Sequence, residues 1–327
     1  MPALFEEEPA SPPYSAKFVS SARIAAADHV GLRGWTGLAE FLQFAFSGLT
    51  VGAIYAVVAL GFTLIFNSSD VVNFAQGEFV MLGGMVTVFA AAAGIPLPLA
   101  ALLAIVATVI VGMLLHRLAI EPARGASPVT LIIITIGASI LLRGLAATIF
   151  DKNYHSLPSW FGNEPLTVGG AALLPQSLVV MVGVGLMVAL LWAFLTRTLT
   201  GKAMLATAAN RLAARLVGIN TSAVVGLSFM LSAAIGAVGG ILAAPITLTN
   251  YDIGTMLALK GFAAAMLGGI GNPLGAVAGG LLLGLLEAFS AGYISSQYKD
   301  AVAFVVILLV LFTMPQGLFG SSKVERV

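Results

Sequence analysis

The segment Asn73-Phe-Ala-Gln76-Gly-Glu78 places polar side chains at the start of a long apolar run in this sequence of 327 residues. Asn73 can cap the predicted helix, with Gln76 at its third position reaching back to the cap. The same residues suit a transport path, because the positive end of a helix dipole favours the carboxylate of a substrate. On a regular helix Glu78 lies about 140° from Asn73 and about 200° from Gln76, so at most part of the set lines one path.

Three further charges, on Arg143, Lys260 and Glu287, interrupt apolar runs. A charge inside the hydrocarbon core of a membrane costs several kcal/mol unless it is paired or hydrated, so each of these needs a reason. We predict that Lys260 and Glu287 form an ion pair between two neighbouring helices. Direct contact with a substrate is the alternative.

The segment 201–220 is too polar to cross a bilayer and too regular to be a loop. Thr207, Arg211 and Arg215 recur at four-residue spacing while leucine and alanine take another face, which predicts one amphipathic helix. Gly218 is predicted to end this helix. A short basic helix between two apolar runs is expected at the cytoplasmic surface, where a soluble partner can dock.

The composition restricts the class of protein. Hydrophobic residues make up 59% of the sequence and charged residues only 9%, which predicts an all-α polytopic membrane protein rather than a soluble domain. The net charge of +1 offers no patch for nucleic acid.

The absence of cysteine and the scattered histidines exclude disulfides, thiolate chemistry and a recognisable metal site. Gly201-Lys202 is followed by Ala203, so there is no P-loop, and no hydrolase or zinc motif occurs. We therefore predict no enzyme activity.

About nine apolar runs are long enough to cross a membrane as helices of roughly 20 residues, with eight or ten as alternatives. The predicted spans are residues 40–66, 73–93, 97–117, 128–150, 175–197, 222–244, 253–271, 273–294 and 298–314. The glycines and the lysine of 253–271 would also suit a re-entrant or broken helix. Paired glycines, such as Gly48 with Gly52 and Gly280 with Gly284, indicate close helix packing.

Basic residues in the loops predict the orientation. The turn 116–124 and the loop 197–220 are rich in arginine and lysine and are predicted to be cytoplasmic. In the loop 151–174 the only lysine or arginine is Lys152, so this loop is predicted to face outward. The C-terminal residues 323–327 then lie inside. Nine spans would place the N-terminus outside.

The domain organisation follows from the polarity of the chain. Residues 1–38 combine glutamates with prolines and are predicted to form an N-terminal extension that is disordered or lies at the membrane surface. Residues 39–327 form the predicted membrane domain, with the polar loop at 198–221.

From about residue 40 onward the chain resembles the permease subunit of branched-chain amino acid ABC importers, of the type called the H subunit. The order of the matching segments and their coverage of almost the whole membrane part make the resemblance specific. These segments are Gly48-Leu-Thr-Val-Gly-Ala-Ile-Tyr55-Ala, Ala59-Leu-Gly-Phe-Thr, Asn73-Phe-Ala-Gln-Gly-Glu78, Arg211-Leu-Ala-Ala-Arg-Leu-Val-Gly-Ile-Asn220, Lys260-Gly-Phe, Leu267-Gly-Gly-Ile-Gly-Asn-Pro-Leu-Gly-Ala, Gly280-Leu-Leu-Leu-Gly-Leu-Leu-Glu287, Tyr298-Lys-Asp300 and Pro315-Gln-Gly-Leu-Phe-Gly320.

The resemblance implies a set of partners. It implies a second homologous permease subunit, two ATPase subunits that bind the ATP, and a periplasmic substrate-binding protein, all at the lipid bilayer of a bacterial inner membrane. The chain itself then needs no cofactor. The loop at 198–221 corresponds to the one that such permeases insert into a cleft on the ATPase.

The resemblance also implies roles for particular residues. The substrate-path candidates are Asn73, Gln76, Glu78, Tyr55, Lys260 and Glu287. The ATPase-coupling candidates are Arg211, Leu212, Ala213, Ala214, Arg215 and Gly218.

Two positions depart from the family pattern. Gln76 stands where the family commonly has histidine, which removes a titratable group but keeps a hydrogen-bonding one. Leu212 stands where the family commonly has glutamate, so a salt bridge from that position is lost and coupling rests on Arg211, Arg215 and apolar contact.

Two alternative functions remain open. Related permeases carry urea, short amides or aromatic acids, and the sequence does not separate these substrates, because the binding protein usually selects the ligand. A secondary transporter that works alone would show inverted repeats and ion-coupling residues near the membrane midplane, and neither is evident in the sequence.

Overall fold

The structure, a computed structural model, describes residues 33–162 and 164–320. Within these residues the chain forms eleven α-helices and one short antiparallel hairpin. The helices are α1 (Arg33–Ser69), α2 (Gln76–Ala92), α3 (Leu97–Leu115), α4 (Pro128–Ile149), α5 (Pro175–Arg197), α6 (Leu199–Ala209), α7 (Arg211–Leu216), α8 (Thr221–Ala243), α9 (Ile253–Gly268), α10 (Pro273–Tyr293) and α11 (Lys299–Thr313). A π-helical turn (His116–Ile120) extends α3, and the strands are β1 (Leu166–Val168) and β2 (Ala171–Leu173).

The predicted all-α membrane fold is confirmed. Six helices are long and apolar enough to cross a membrane, namely α1 from Gly37, α3 with its π-helical turn, α4, α5, α8 and α10. The other three predicted spans contain α2, α9 and α11, which have 17, 16 and 15 residues. These helices are shorter than the roughly 20 residues that a span needs. By length and composition the described chain therefore contains six candidate spans, and the other helices of the predicted eight to ten are shorter than a full span.

Helix α1 forms the centre of the assembly. It is apolar around its whole circumference, which is typical of a buried helix, and it packs along α10, α8 and α9. The predicted glycine contact is confirmed, because a Cβ on Gly284 of α10 would overlap the Cα of Gly52 on α1. The two backbones approach as closely as glycine allows, which is how helices associate in lipid.

Helices α2 and α9 begin beside each other. The side chain of Gln76, the first residue of α2, bonds Ser232, which is the middle residue of α8. Gly77 packs against the backbone carbonyl of Gly254 at the start of α9 with no room for a Cβ. The two helix N-termini therefore meet halfway along a span, as in the discontinuous helices of transporters. This arrangement agrees with the broken helix that was one expectation for 253–271.

The two basic segments lie at one end of the helices. Arg124, in the turn 116–124, contacts the side chain of Ser222 at the start of α8, and Arg215 of α7 bonds Thr221 beside it. His155, in the loop predicted to face outward, instead forms a β-bridge with Thr249, which follows the other end of α8. The prediction that 116–124 and 197–220 share one surface is confirmed.

The prediction of one helix across 201–220 is wrong. The backbone leaves the helical conformation at Asn210, with φ −157° and ψ 107°, and divides the segment into α6 and α7. The Asn210 side chain accepts a hydrogen bond from the Ala213 amide at 2.9 Å, so it caps α7 and compensates for the break. Gly218 ends α7 as predicted, with φ +89° and its amide bonded to the Arg215 carbonyl at 3.0 Å.

The described part of the chain begins within the predicted N-terminal extension and ends before the last seven residues. Helix α1 begins at Arg33, before the predicted boundary at residue 39. The rest of the predicted N-terminal extension and the C-terminal residues 323–327 lie outside the described residues.

Candidate functional site

The polar segment 73–78 does not form the predicted capping box. Helix α2 starts at Gln76, and the residue before it, Ala75, makes no side-chain cap. The Asn73 side chain instead accepts a hydrogen bond from the Ala75 amide at 3.1 Å and closes a local turn. Gln76 is the first residue of the helix rather than the third, so its side chain cannot reach back to a cap. It points toward α8, where its amide nitrogen lies 3.3 Å from the Ser232 carbonyl oxygen.

Glu78 faces the opposite side of α2 from Gln76, as the helical geometry predicted. Its carboxylate is fully buried, and Oε1 accepts a hydrogen bond from the Ser139 hydroxyl of α4 at 2.8 Å. The Nε of Arg143, one turn further along α4, lies 3.6 Å from the same oxygen. Within the described chain neither Glu78 Oε2 nor Arg143 Nε makes a hydrogen bond. A buried carboxylate and a guanidinium thus keep unused hydrogen-bonding capacity beside each other.

Arg143 also connects Glu78 to a residue at the surface of the assembly. Its Nη1 lies 2.8 Å from Oδ1 of Asp252, the residue that precedes α9. The exposed fraction of the side chain rises from 0% at Glu78 to 28% at Arg143 and 55% at Asp252. The three residues form a line of charges, here called the Arg143 cluster, that runs from the interior to an accessible surface.

Sequence reasoning found only part of the Arg143 cluster. Glu78 was predicted to line the substrate path. Arg143 was noted only as a charge inside an apolar run, without a predicted role, and Asp252 was not identified. An acidic residue directly before the predicted 253–271 segment was the available signal, because helix N-termini favour such residues. Its contact with Arg143 depends on how α4 and α9 pack, which no local pattern reveals.

The predicted ion pair between Lys260 and Glu287 is confirmed. Lys260 Nζ lies 2.9 Å from both carboxylate oxygens of Glu287, and the Tyr55 hydroxyl donates a hydrogen bond to Oε2 at 2.7 Å. Asp300 accepts a second bond from Lys260 at 2.8 Å, and Lys299 lies 3.1 Å from Glu287. Two cations and two anions therefore balance across α9, α10 and α11, and α1 adds the Tyr55 hydroxyl, which favours a structural role.

The structure does not bring the six predicted path residues together. Asn73 bonds neighbouring backbone through Oδ1, while its buried Nδ2 makes no hydrogen bond within the described chain. Gln76 bonds α8, Glu78 belongs to the Arg143 cluster, and Tyr55, Lys260 and Glu287 form the paired network. Among these groups, the Arg143 cluster combines partial exposure with unused hydrogen-bonding atoms.

Helix α7 has two distinct faces. One face is apolar and open, because Leu212, Leu216 and Val217 are 68%, 80% and 77% exposed. The other face turns toward the spans, where Ala214 is buried and Arg215 donates a hydrogen bond from Nε to the Thr221 hydroxyl at 2.8 Å. Arg215 therefore contacts the start of α8 although its side chain is exposed, and the leucines project away from the spans. The sequence analysis assigned coupling to Arg211 and Arg215 together with apolar contact, whereas in the structure Arg215 bonds the start of α8 and the leucines form the open face.

Comparisons with known proteins agree with this architecture. A family model described as "Branched-chain amino acid transport system / permease component" matches residues 44–311. The LivH permease of the high-affinity branched-chain amino acid transport system of Escherichia coli K12 is 35% identical over 302 residues, which cover 88% of this chain and 98% of LivH. The corresponding BraD protein of Pseudomonas aeruginosa is 35% identical over 304 residues, with coverage of 88% and 98%.

A more distant relative carries a different name. The ribose import permease protein RbsC of Escherichia coli K12 is 28% identical over 285 residues, which cover 81% of this chain and 84% of RbsC. The family match and the near full-length likeness to LivH and BraD settle the membership. The chain belongs to the family of branched-chain amino acid transport system permease components and is a multi-pass inner-membrane protein.

Proposed function

We propose that this chain forms part of the translocation path of an ABC importer for branched-chain amino acids. In this proposal it pairs with a second homologous permease, receives substrate from a periplasmic binding protein and is powered by two separate ATPase subunits that bind the ATP. The observation that carries the proposal is the 35% identity to LivH and BraD over 98% of their lengths. The chain has no P-loop of its own, so it has no enzyme activity in this proposal.

The Arg143 cluster is the proposed contact for the head group of the substrate. An amino acid carries a carboxylate and an ammonium group. The cluster places a cation and two carboxylates close together, so both groups can find a partner of opposite charge. The Arg143 guanidinium suits a carboxylate because its fork can donate two parallel hydrogen bonds. Asp252 and Glu78 supply negative charge for the ammonium group. Binding would replace the 2.8 Å bond between Arg143 and Asp252 by bonds to the substrate.

The helix starts beside the cluster support the same assignment. Glu78 lies in the first turn of α2, and Asp252 directly precedes α9. Both N-termini therefore direct the positive ends of their dipoles toward this region, which favours a bound carboxylate. Discontinuous helices that meet inside a membrane bind substrates in this way in other transporters.

The surroundings of the cluster favour an apolar side chain on the substrate. An apolar group of residues that includes Met81, Ala146, Tyr251 and Ile253 borders the charges. Tyr251 and Ile253 flank Asp252 in the chain and are only partly buried. A zwitterionic head beside an apolar wall matches a branched-chain amino acid better than urea or a sugar, which carry no charge pair.

The exposed face of α7 is the proposed contact with the ATPase. Leu212, Leu216 and Val217 form the outward face of α7, and aliphatic side chains that are exposed in the free subunit are stabilised when a partner covers them. Arg211 and Arg215 hold α7 against the spans in this proposal. The sequence analysis assigned the ATPase contact mainly to the arginines of this short helix, and this proposal assigns it to the leucine face instead.

The deciding experiment is reconstitution in liposomes. The complex of this chain with its second permease and its ATPase subunits, supplied with the binding protein and ATP, is expected to take up leucine and not urea or ribose. The chain alone is expected to accumulate nothing under an ion gradient. Uptake by the single polypeptide would support a secondary transporter instead, and ATP-driven uptake of urea or ribose without leucine would leave the importer class intact but refute the substrate.

A further inference from the structure

A small cavity lies between α7 and the ends of four spans, α1, α3, α4 and α8. Its volume is about 80 Å³. Its polar lining combines three arginines and one carboxylate with a histidine and three hydroxyl groups, namely Arg124, Arg211, Arg215, Glu121, His116, Ser69, Thr221 and Ser222. One water molecule takes about 30 Å³ in the liquid, so the space suits a compact tetrahedral oxyanion and is too small for a sugar.

The cavity carries an excess of positive charge. Arg124 is paired with Glu121, and Arg215 bonds the Thr221 hydroxyl at 2.8 Å. Arg211 forms no ion pair within the described chain, and its Nε is buried without a hydrogen bond. Burial and then the charge of Arg215 lower the pKa of Arg211, while Asp70 acts in the opposite direction. The charged form of Arg211 is therefore destabilised where it lies, and an anion in the cavity would remove that penalty.

His116 provides a second polar group without a strong partner. Its side chain is 8% exposed, lines the cavity and makes no hydrogen bond within the described chain. The nearest acid is Glu121, whose Oε2 lies 3.9 Å from Nδ1. A neutral imidazole donates one hydrogen bond through its N–H, which an anion in the cavity would accept.

The position of the cavity points to the phosphate layer of the membrane. Apart from α7, its lining comes from the last residue of α1, the π-helical turn that ends the α3 span and the turn after it, the first turn of α4 and the first five residues of α8. The ends of spans lie where lipid headgroups begin. Leu118 lies in the π-helical turn and Val129 in the first turn of α4. Their apolar side chains are 71% and 64% exposed and suit contact with acyl chains.

We propose that this cavity binds a phosphate group, supplied by the headgroup of an anionic lipid or by free phosphate. The anion bridges Arg211 and His116, and through Arg215 and Arg124 it fastens α7 to the spans. A carboxylate from a protein partner is the less favoured ligand, because the cavity lies on the face of α7 opposite to the exposed Leu212 and Leu216. The position of α7 thus depends on whether a phosphate group occupies the cavity.

The test uses the full chain purified in detergent and follows its thermal unfolding. Phosphatidylglycerol in mixed micelles is expected to raise the Tm more than phosphatidylcholine does. Inorganic phosphate in a second series distinguishes the two sources of the phosphate group. Arg211→Gln is expected to weaken the apparent affinity for the active ligand about tenfold or more, because hydrogen bonds to charged groups are lost. Arg197→Gln, at the end of α5 on the same surface and outside the cavity, is the matched control and should bind like the parent.

Further outcomes separate the proposal from its rivals. If Arg211→Gln does not fold, Arg211→Lys keeps the charge without the planar fork and is expected to give a smaller loss of affinity. The site would be refuted if the Arg211 variant and the parent showed the same increase in Tm with each ligand, and if phosphatidylglycerol, phosphatidylcholine and phosphate did not differ. A Tm increase that depends on Arg211 and appears only with the ATPase subunits would identify a protein carboxylate as the ligand and would also refute the proposal.

Discussion

Arg143 on α4 and Asp252 before α9 are joined by a 2.8 Å ion pair in which both side chains remain partly exposed. The pair links two helices that the sequence separates by more than a hundred residues, and it continues inward to the buried carboxylate of Glu78. A substrate that exchanges its own charges for this pair would separate α4 from the start of α9. Recognition of the head group and movement of the helices are then one event.

The first prediction follows from that exchange. Arg143→Gln is expected to lower leucine uptake by the reconstituted importer at least tenfold, because the guanidinium is the proposed partner of the substrate carboxylate and a charged hydrogen bond contributes about 1.5–3 kcal/mol. Co-elution of the subunits should stay unchanged. Lys152→Gln, an exposed cation in the adjoining outer loop, is the control. Parent-like uptake by Arg143→Gln would remove the cluster from the path.

Glu78 is tested separately, because it is the buried member of the cluster. Glu78→Gln keeps an oxygen that can accept the bond from Ser139, so the fold should tolerate the change. The loss of negative charge near Arg143 is expected to reduce transport more than it reduces assembly, measured as uptake per assembled complex. A proportional fall in both quantities would indicate that Glu78 only stabilises α2 against α4.

The network around Lys260 should respond as a structural unit. Lys260→Met leaves Glu287 buried with less positive charge, and loss of one partner of a buried pair costs about 3–5 kcal/mol in typical cases. We therefore expect a clear fall in Tm. The double variant Lys260→Met with Glu287→Leu removes both buried charges and should recover part of the loss. Transport per folded complex should stay near the parent value, and a selective loss of transport would instead assign these residues to the path.

The sequence was sufficient for most of the helices and for one of the charged contacts. The runs 128–150 and 175–197 match α4 and α5 closely, because apolar length in lipid leaves the backbone no alternative to a helix. The pair of Lys260 with Glu287 was predictable because two isolated opposite charges in apolar surroundings stabilise each other.

The remaining features depend on tertiary contacts or on competition between local signals. Asn210 lies within an alanine-rich helical pattern, yet its side chain caps a new helix and interrupts the predicted one. Gln76 was placed in a capping box by spacing alone, whereas α8 provides its partner. Asp252 could be paired with Arg143 only once the packing of α4 and α9 was known.

The last prediction concerns the two faces of α7. Leu212→Glu restores the residue common in the family, but it places a charge on a face where Leu216 and Val217 are also exposed and apolar. If this face enters a matching apolar cleft on the ATPase, the buried carboxylate has no partner and docking is destabilised. Co-elution with the ATPase subunits and binding-protein-stimulated ATP hydrolysis should both fall. Leu199→Glu, at an 86% exposed position on α6, is the matched control and should leave both measurements unchanged. Equal behaviour of the two variants would show that α7 does not contact the ATPase through its leucine face, whereas higher stimulated hydrolysis in Leu212→Glu would indicate that the cleft still carries a cationic partner.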